Sequence, residues 1–382
     1  MKILQIHTHY RDAGGEDSVV AAEANLLRGA GHDVVQVSFD NQQPAIQAAI
    51  GLALAPHNPV QAERIKRIAA ETAPDVAHVH NTWYAASPAV VSAVASRDIP
   101  VIATLHNFRV SCANGLLQRD GKPCELCVGA SPWPSVRYKC FRDSTVGSAA
   151  SALTISYNRA RRTWHDNVRQ FLVLSEFAKE RLARAGLPED KLVVTPNFAI
   201  DRGFRPAPPS QSSDVLFAGR LIEGKGIRTL LAAWEQAAPA GLRLLVAGDG
   251  DCLDEVKALG DRGVVSLGWI DGDELAARMR SARALLFPSE YYENMPMTIL
   301  EAFAAGLPVL ASDRGSMPEI VAPLGPEWLA APADPAAWAE RIDAIGDGGL
   351  VDAAGRAARL AYEARYTPER AIARLENAYQ VS

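Results

Sequence analysis

The stretch "VLFAGRLIEGKGIRTLLAAWEQA", residues 215–237, carries three patterns in succession. A short apolar run ends in glycine, a glycine-flanked loop follows, and an amphipathic segment closes the stretch. Apolar runs of this length that alternate with helical segments indicate a parallel sheet with crossover helices. Gly219, Gly224 and Lys225 fit the G-x-x-x-x-G-K frame of a phosphate-binding loop. The next residue should be Ser or Thr, whose hydroxyl holds magnesium, and here it is Gly226. What remains is two cations, Arg220 and Lys225, placed beyond a strand, where they can neutralise a diphosphate directly.

The same rhythm extends in both directions. "KILQI", "HDVVQVSF", "DVAHVH", "PVIATLH" and "QFLVLS" precede the stretch; "LRLLVAGDG", "VVSLGWI", "ALLFPS" and "PVLASD" follow it. A polar, proline-rich segment, "FRPAPPSQSSD" (204–214), separates the two series and reads as a linker. At 382 residues the chain exceeds the size of one growing core, so two doubly wound α/β units are expected. Ligands of such sheets bind beyond the carboxyl ends of the strands, and two facing units would hold one between them.

Composition narrows the function. The chain is 48% hydrophobic and 22% charged, with net charge −5 and pI near 5.9, which disfavours nucleic acid as the partner. No apolar run approaches the roughly 18 residues of a membrane span, and "MKILQIHTHY" opens as a strand. A cytoplasmic protein is expected. Between residues 130 and 170 seven cations (Arg137, Lys139, Arg142, Arg159, Arg161, Arg162, Arg169) face two acids, Asp143 and Asp166. A solvated helix face and a surface for anionic headgroups or a phosphorylated substrate both explain that segment.

The first-strand turn, "HTHYRDAGGEDS" (7–18), places Gly14 and Gly15 before a helix, where the backbone can approach an anion. It lacks the G-x-G-x-x-G spacing of dinucleotide binders, and "GAGHDV" (29–34) stands between helix and strand, so a nicotinamide enzyme is disfavoured. His7, His9, His78, His80 and His106 cluster at strand ends. No carboxylate stands at ligand spacing from them, and most read as core or rim histidines; His106 is delivered past an apolar strand.

"YYENMPMTILEAFAAG" (291–306) sets Glu293 and Glu301 eight residues apart. Thr298 and Glu301 fit a capping box, which explains one acid only. Pro296 suits the first turn, so a helix beginning at 296–298 aims its N–H groups at an anion. Acids on either side of an anion site make sense when the ligand also carries hydroxyls, as a sugar nucleotide does.

Glu293-x7-Glu301 after "FPSE", with "GRLIEGKG" upstream and "GLPVLASDRGSMPEI" downstream, resembles the family 4 retaining glycosyltransferases of the GT-B fold. "GGE" (14–16), "DVAHVH", "TLH" ending at His106 and "TPN" (195–197) extend the resemblance over nearly the whole chain. It implies two Rossmann-like domains facing a central cleft. An acceptor-binding domain spans 1–200, with a cysteine-bearing insertion at 108–145, and a donor-binding domain spans 201–365. A last helix, 366–382, crosses back to the first domain. The resemblance implies that Arg220 and Lys225 hold the donor diphosphate, Glu301 the ribose and Glu293 the transferred sugar, while His106 lines the reaction centre. Gly14, Gly15, Asn294, Met295, Pro296 and Met297 complete the expected donor site. The expected reaction moves a sugar from a nucleotide-diphosphate donor to a glycan or lipid-linked acceptor in envelope or exopolysaccharide synthesis. It needs no catalytic cofactor. A GT-B sugar-nucleotide epimerase and a non-catalytic nucleotide-sugar binder are the rival readings. The chain departs from the family pattern at Asn294-Met295, Asn197-Phe198 and Gly315-Ser316, where Phe-Gly, Asn-Gly and Gly-Gly are usual.

Cys112, Cys124, Cys127 and Cys140 are spaced C-x11-C-x2-C-x12-C. In a cytoplasmic chain that spacing favours structural zinc over disulfides.

Overall fold

The computed structural model describes residues 1–10 and 14–380. Residues 11–13 of the first-strand turn and 381–382 of the expected last helix lie outside the described residues. The chain divides into two compact units. The first comprises 1–119, 124–196 and 371–382; the second comprises 120–123 and 197–370.

The sheet of the first unit contains β1 (Lys2–His9), β2 (Asp33–Asp40), β3 (Val76–Val79), β4 (Val101–Leu105), β5 (Gln170–Val173) and β6 (Leu192–Val194), in the order β2-β1-β3-β4-β5-β6. Every pairing is parallel. Helices cover the sheet, so the inner strands are apolar almost throughout, and Ile3, Leu4 and Ile6 of β1 are wholly buried. Helix Gly15–Gly29 turns Ala24 and Leu27 onto this layer. The last helix, Pro368–Gln380, adds Leu375, Ala378 and Tyr379 at i, i+3, i+4 spacing to a cluster with Ile3, Val76, Ile102 and Leu172. The chain thus finishes in the unit where it began.

The second sheet contains β7 (Asp214–Ala218), β8 (Arg243–Ala247), β9 (Val264–Gly268), β10 (Ala284–Phe287), β11 (Val309–Ser312) and β12 (Leu329–Ala330), ordered β9-β8-β7-β10-β11-β12 and parallel throughout. The order reverses between β7 and β10. Loops leaving the two strands at such a switch point diverge and leave a crevice. The loop after β7 begins at Gly219 and the loop after β10 at Pro288, so the two motifs singled out above become neighbours.

The segment 204–214 is not a free linker. Arg205 and Pro209 are buried, and residues 209–211 form a 3-10 turn. The buried Arg283 guanidinium donates to the carbonyls of Ser210 (2.7 Å), Ile345 (2.7 Å) and Gly346 (2.8 Å), sewing that segment into the second unit. Proline and serine there signal an irregular path, which the caged arginine holds in place. Among the described residues no helix is long and apolar enough to cross a membrane.

Candidate functional site

In the second unit β7 ends in Gly219 and Arg220, residues 223–225 form a single 3-10 turn, and helix Ile227–Ala237 follows. Gly226 joins turn to helix at φ +72°, and a Cβ there would stand 2.0 Å from the Pro288 carbonyl oxygen. A Cβ on Gly224 would fall 1.8 Å from the Tyr291 ring. The loops after β7 and β10 therefore approach more closely than any side chain at these glycines allows. The Glu290 N–H donates to the Gly224 carbonyl at 3.0 Å and fixes their register.

This contact brings Lys225 to Glu293. Lys225 Nζ donates to Glu293 Oε1 at 2.5 Å, with 21% and 16% of the two side chains exposed. Ser289 Oγ donates to the same oxygen at 2.6 Å. Burial alone would raise the Glu293 carboxyl, but Lys225, Ser289 and Arg220 outweigh it and hold the group below the ordinary carboxylate range. Its backbone is pinned as well, since the Glu293 carbonyl accepts from Ser316 N–H (3.2 Å) and Ser316 Oγ (3.0 Å). The departure at Gly315-Ser316 thus gives Glu293 a partner that glycine cannot offer. Spacing in the sequence gave no sign of Ser289, Ser316 or Tyr291, because each acts through the fold.

Arg220 is exposed and lines a cavity with Gly219, Gly248, Asp249, Trp269, Ile270, Leu275 and Thr298. Trp269 is 77% exposed. A guanidinium and an indole on one cavity can neutralise a phosphate and stack on a flat ring. Glu301 lines a second cavity that shares Leu275 with the first and includes Arg202, Gly203 and Arg280. The helix containing it is Met297–Ala304, with Pro296 at the cap and no side-chain cap bond. The capping-box expectation is therefore corrected: the helix starts one residue before Thr298, and Glu301 sits a full turn inside. Burial raises the Glu301 carboxyl above its ordinary range, with Arg202 as the opposing charge. Met295 is buried, Pro296 and Met297 open the helix, and Asn294 is partly buried in the loop before it.

In the first unit Gly14 caps helix Gly15–Gly29, and its N–H donates to Asp17 Oδ2 at 3.1 Å. Among the described residues, no atom other than those of the chain neighbours and the helix's own backbone lies within 4 Å of a Cβ at Gly14 or Gly15. Packing among the described residues thus gives no reason for either glycine. The histidines do have carboxylates, which corrects the sequence expectation, because helix Gly15–Gly29 supplies them from a distance no local spacing reveals. Asp17 Oδ1 lies 2.8 Å from His7 Nε2 and 2.9 Å from His9 Nδ1; Glu23 Oε1 lies 3.0 Å from His78 Nδ1 and 3.1 Å from His80 Nε2. His106 follows β4 directly and lines a cavity with His80, Trp83, Asn107, Arg109 and Trp164.

The four insertion cysteines gather in one neighbourhood. Burial first, then the nearby Cys112, Cys140 and Cys124, pushes the Cys127 thiol up to about 11. Among the described residues the groups whose ligand atoms all lie within 4.8 Å of one another are His7-His9-Asp17 and Glu23-His78-His80; the cysteines do not form one.

Comparisons with known proteins agree with this architecture. Residues 13–200 match the family described as Glycosyltransferase Family 4, and residues 212–347 match Glycosyl transferases group 1. An uncharacterized glycosyltransferase of Methanocaldococcus jannaschii is 34% identical over 173 residues, 40% of this chain and 44% of that protein. The phosphatidyl-myo-inositol mannosyltransferase of Mycolicibacterium smegmatis is 26% identical over 333 residues, 81% of this chain and 75% of that one. The chain spans less than half the length of several curated relatives that it matches, the M. jannaschii protein among them. Among solved structures, a lipopolysaccharide outer core galactosyltransferase superposes with TM-score 0.69 at 17% identity, covering 99% of both chains. HepE of Anabaena, solved with UDP, superposes with TM-score 0.68 at 17% identity over the full length of both. At these identities the structural likeness is one of fold, and that fold is GT-B.

Proposed function

The chain belongs to the family 4, group 1 glycosyltransferases, and from that premise we propose that it transfers a sugar, with retention, from a nucleotide-diphosphate-sugar donor to a glycan or lipid-linked acceptor. The observation that carries the proposal is the joined loop pair of the second unit. Arg220 lies exposed on a cavity that Trp269 also lines, and Lys225, in the same loop, is paired with Glu293. A diphosphate that draws Lys225 to itself would release the Glu293 carboxylate to accept hydroxyls of the transferred sugar. Cation and acid thus serve the two halves of one donor. Glu301, on the adjoining cavity, takes the ribose hydroxyls, and His106 acts on the reacting sugar.

UDP bound to HepE of Anabaena makes a uridine donor the first to test, and the M. smegmatis mannosyltransferase makes a lipid-linked acceptor the first acceptor class. Envelope or exopolysaccharide synthesis is the proposed setting. The first unit's basic segment supports work at an anionic membrane surface. All seven of its cations are exposed, and Trp133, Tyr138, Val146 and Leu153 stand exposed among them. The test is a thermal-shift panel of UDP-, GDP- and ADP-sugars, followed by proton NMR of the product's anomeric coupling. Stabilisation by one donor class and a retained anomeric configuration are expected. Stabilisation by none, or inversion, would overturn the reading.

A further inference from the structure

A chain of hydrogen bonds runs beneath the His106 cavity. Glu23, on helix Gly15–Gly29, is buried, and its Oε1 lies 3.1 Å from His80 Nε2. His80 Nδ1 lies 3.1 Å from His106 Nε2, with the two rings stacked at 5.4 Å. Glu23 Oε1 also meets Gln5 Nε2 at 3.2 Å and His78 Nδ1 at 3.0 Å. Tyr379 Oη shares His78 Nδ1 with Glu23, at 2.7 Å, and His78 Nε2 meets Thr104 Oγ1 at 2.7 Å. Three donors around one carboxylate oxygen give the buried charge the satisfaction it requires.

We infer that Glu23, acting through His80, is a positioning residue that fixes His106 in one tautomer, with the proton on Nε2 and a lone pair on Nδ1. An ionised carboxylate only accepts. The two amide hydrogens of Gln5 Nε2, which lies 3.3 Å from His80 Nε2, have oxygen acceptors in Glu23 (3.2 Å) and the Val20 carbonyl (3.5 Å). His80 Nε2 therefore carries the proton that Glu23 receives. His80 is neutral, so its Nδ1 can only accept, and His106 Nε2 must be the donor across the 3.1 Å contact. His106 is neutral in turn, so Nδ1 keeps its lone pair. The charges agree with this geometry. Burial would raise Glu23, but His78 and His80 hold it well below the carboxylate range; burial pushes His80 and His106 each down to about 3.

A ring locked in this form accepts a hydroxyl and offers no charge to a phosphate. On the transferase reading, from which this consequence follows, the ligand group at His106 is a sugar hydroxyl. The last helix contributes through Tyr379, which steadies His78 on the same carboxylate.

The test needs no substrate. In protein labelled with 15N-histidine, long-range 1H–15N spectra assign each ring's tautomer. Wild type is expected to show His106 with protonated Nε2. Glu23→Gln, whose amide can turn its NH2 toward His80, is expected to mix the tautomers, and Glu23→Asp to restore the single form. Should Glu23→Gln fail to fold, His80→Phe removes the acceptor and is expected to give the same mixture. In transfer assays Glu23→Gln is expected to lower kcat at least about tenfold with the donor KM within about twofold, since a misprotonated catalytic histidine loses rate while geometry survives. An Nδ1-protonated His106 in wild type, or one tautomer unchanged in Glu23→Gln and His80→Phe, overturns the inference. A locked tautomer in a protein that transfers no sugar would overturn the proposed function and leave the relay standing.

Discussion

Lys225 Nζ and Glu293 Oε1, 68 residues apart in sequence, meet at 2.5 Å where the loops after β7 and β10 touch. A carboxylate 16% exposed depends on that ammonium for its charge. The pair is a structural element of the ligand-free protein, and on the proposed reading it is also a reserve of two functional groups.

Replacing Lys225 separates these roles. Lys225→Ala is expected to reduce transfer about a hundredfold or more, because it removes positive charge from the departing diphosphate. It should also destabilise the free protein in a pH-dependent way. With Lys225 present, Glu293 lies below its ordinary 4.5, so its contribution is in force above that value and fades as pH falls through the folded-state value. The melting-temperature gap between wild type and variant should be widest near neutrality and narrow below pH 4.5. A gap independent of pH would mean that the lysine acts by packing alone.

Glu301 carries the opposite sign. Its carboxyl is raised by burial, so its favourable contribution is complete below 4.5 and is lost as pH rises through the folded-state value. Glu301→Gln should therefore melt no lower than wild type at pH 7, and higher if the charge is the main cost. The same change should weaken nucleotide binding roughly tenfold or more, since a charged hydrogen bond to ribose contributes about 1.5–3 kcal/mol. Calorimetry at pH 7 with free UDP checks both halves, and unchanged affinity would remove the ribose role.

The cysteine insertion makes a compositional prediction. A thiol pushed up to about 11 by burial and three neighbouring thiols is poorly placed as an isolated group, whereas a zinc ion would convert all four into stabilised thiolates. Freshly purified, reduced protein is expected to hold about one zinc per chain, and Cys124→Ser or Cys127→Ser to lose it. Metal-free protein with full activity by elemental analysis would end the assignment.

How far the sequence discloses these features depends on their range. Strand and helix rhythm is local, so both parallel sheets and the helix beginning at Met297 follow from apolar runs and from Pro296. The Thr298 capping box misleads because side-chain identity cannot show which residue takes the non-helical cap conformation. Contacts across the sheet are legible only once strand order is known. Glu23 stands 55 residues from His78, and Ser316 stands 23 from Glu293. The proline-rich segment misleads for a related reason: Arg283, which cages it, stands just before β10, far along the chain.

Gly226 stands where a phosphate-loop motif would have Ser or Thr. Gly226→Ser restores the G-x-x-x-x-G-K-S frame, so a reading by motif expects a gain of magnesium binding. The structure predicts the reverse. Position 226 lies at φ +72°, where L side chains are strained, and a Cβ there would meet the Pro288 carbonyl oxygen at 2.0 Å. The loop after β10 would have to withdraw, carrying with it Glu290, whose N–H holds the Gly224 carbonyl, and Glu293, whose carboxylate holds Lys225. Gly226→Ser should therefore lower the melting temperature and cut transfer sharply without creating a magnesium response. In wild type, transfer should persist when added magnesium is omitted, because Arg220 and Lys225 supply the positive charge that the metal supplies in a phosphate-loop enzyme. Chelation must be mild and brief, so that the zinc expected at the cysteines would not be stripped at the same time. Strict dependence of wild type on magnesium, or magnesium-stimulated turnover in Gly226→Ser, would show that the loop handles phosphate through a metal after all.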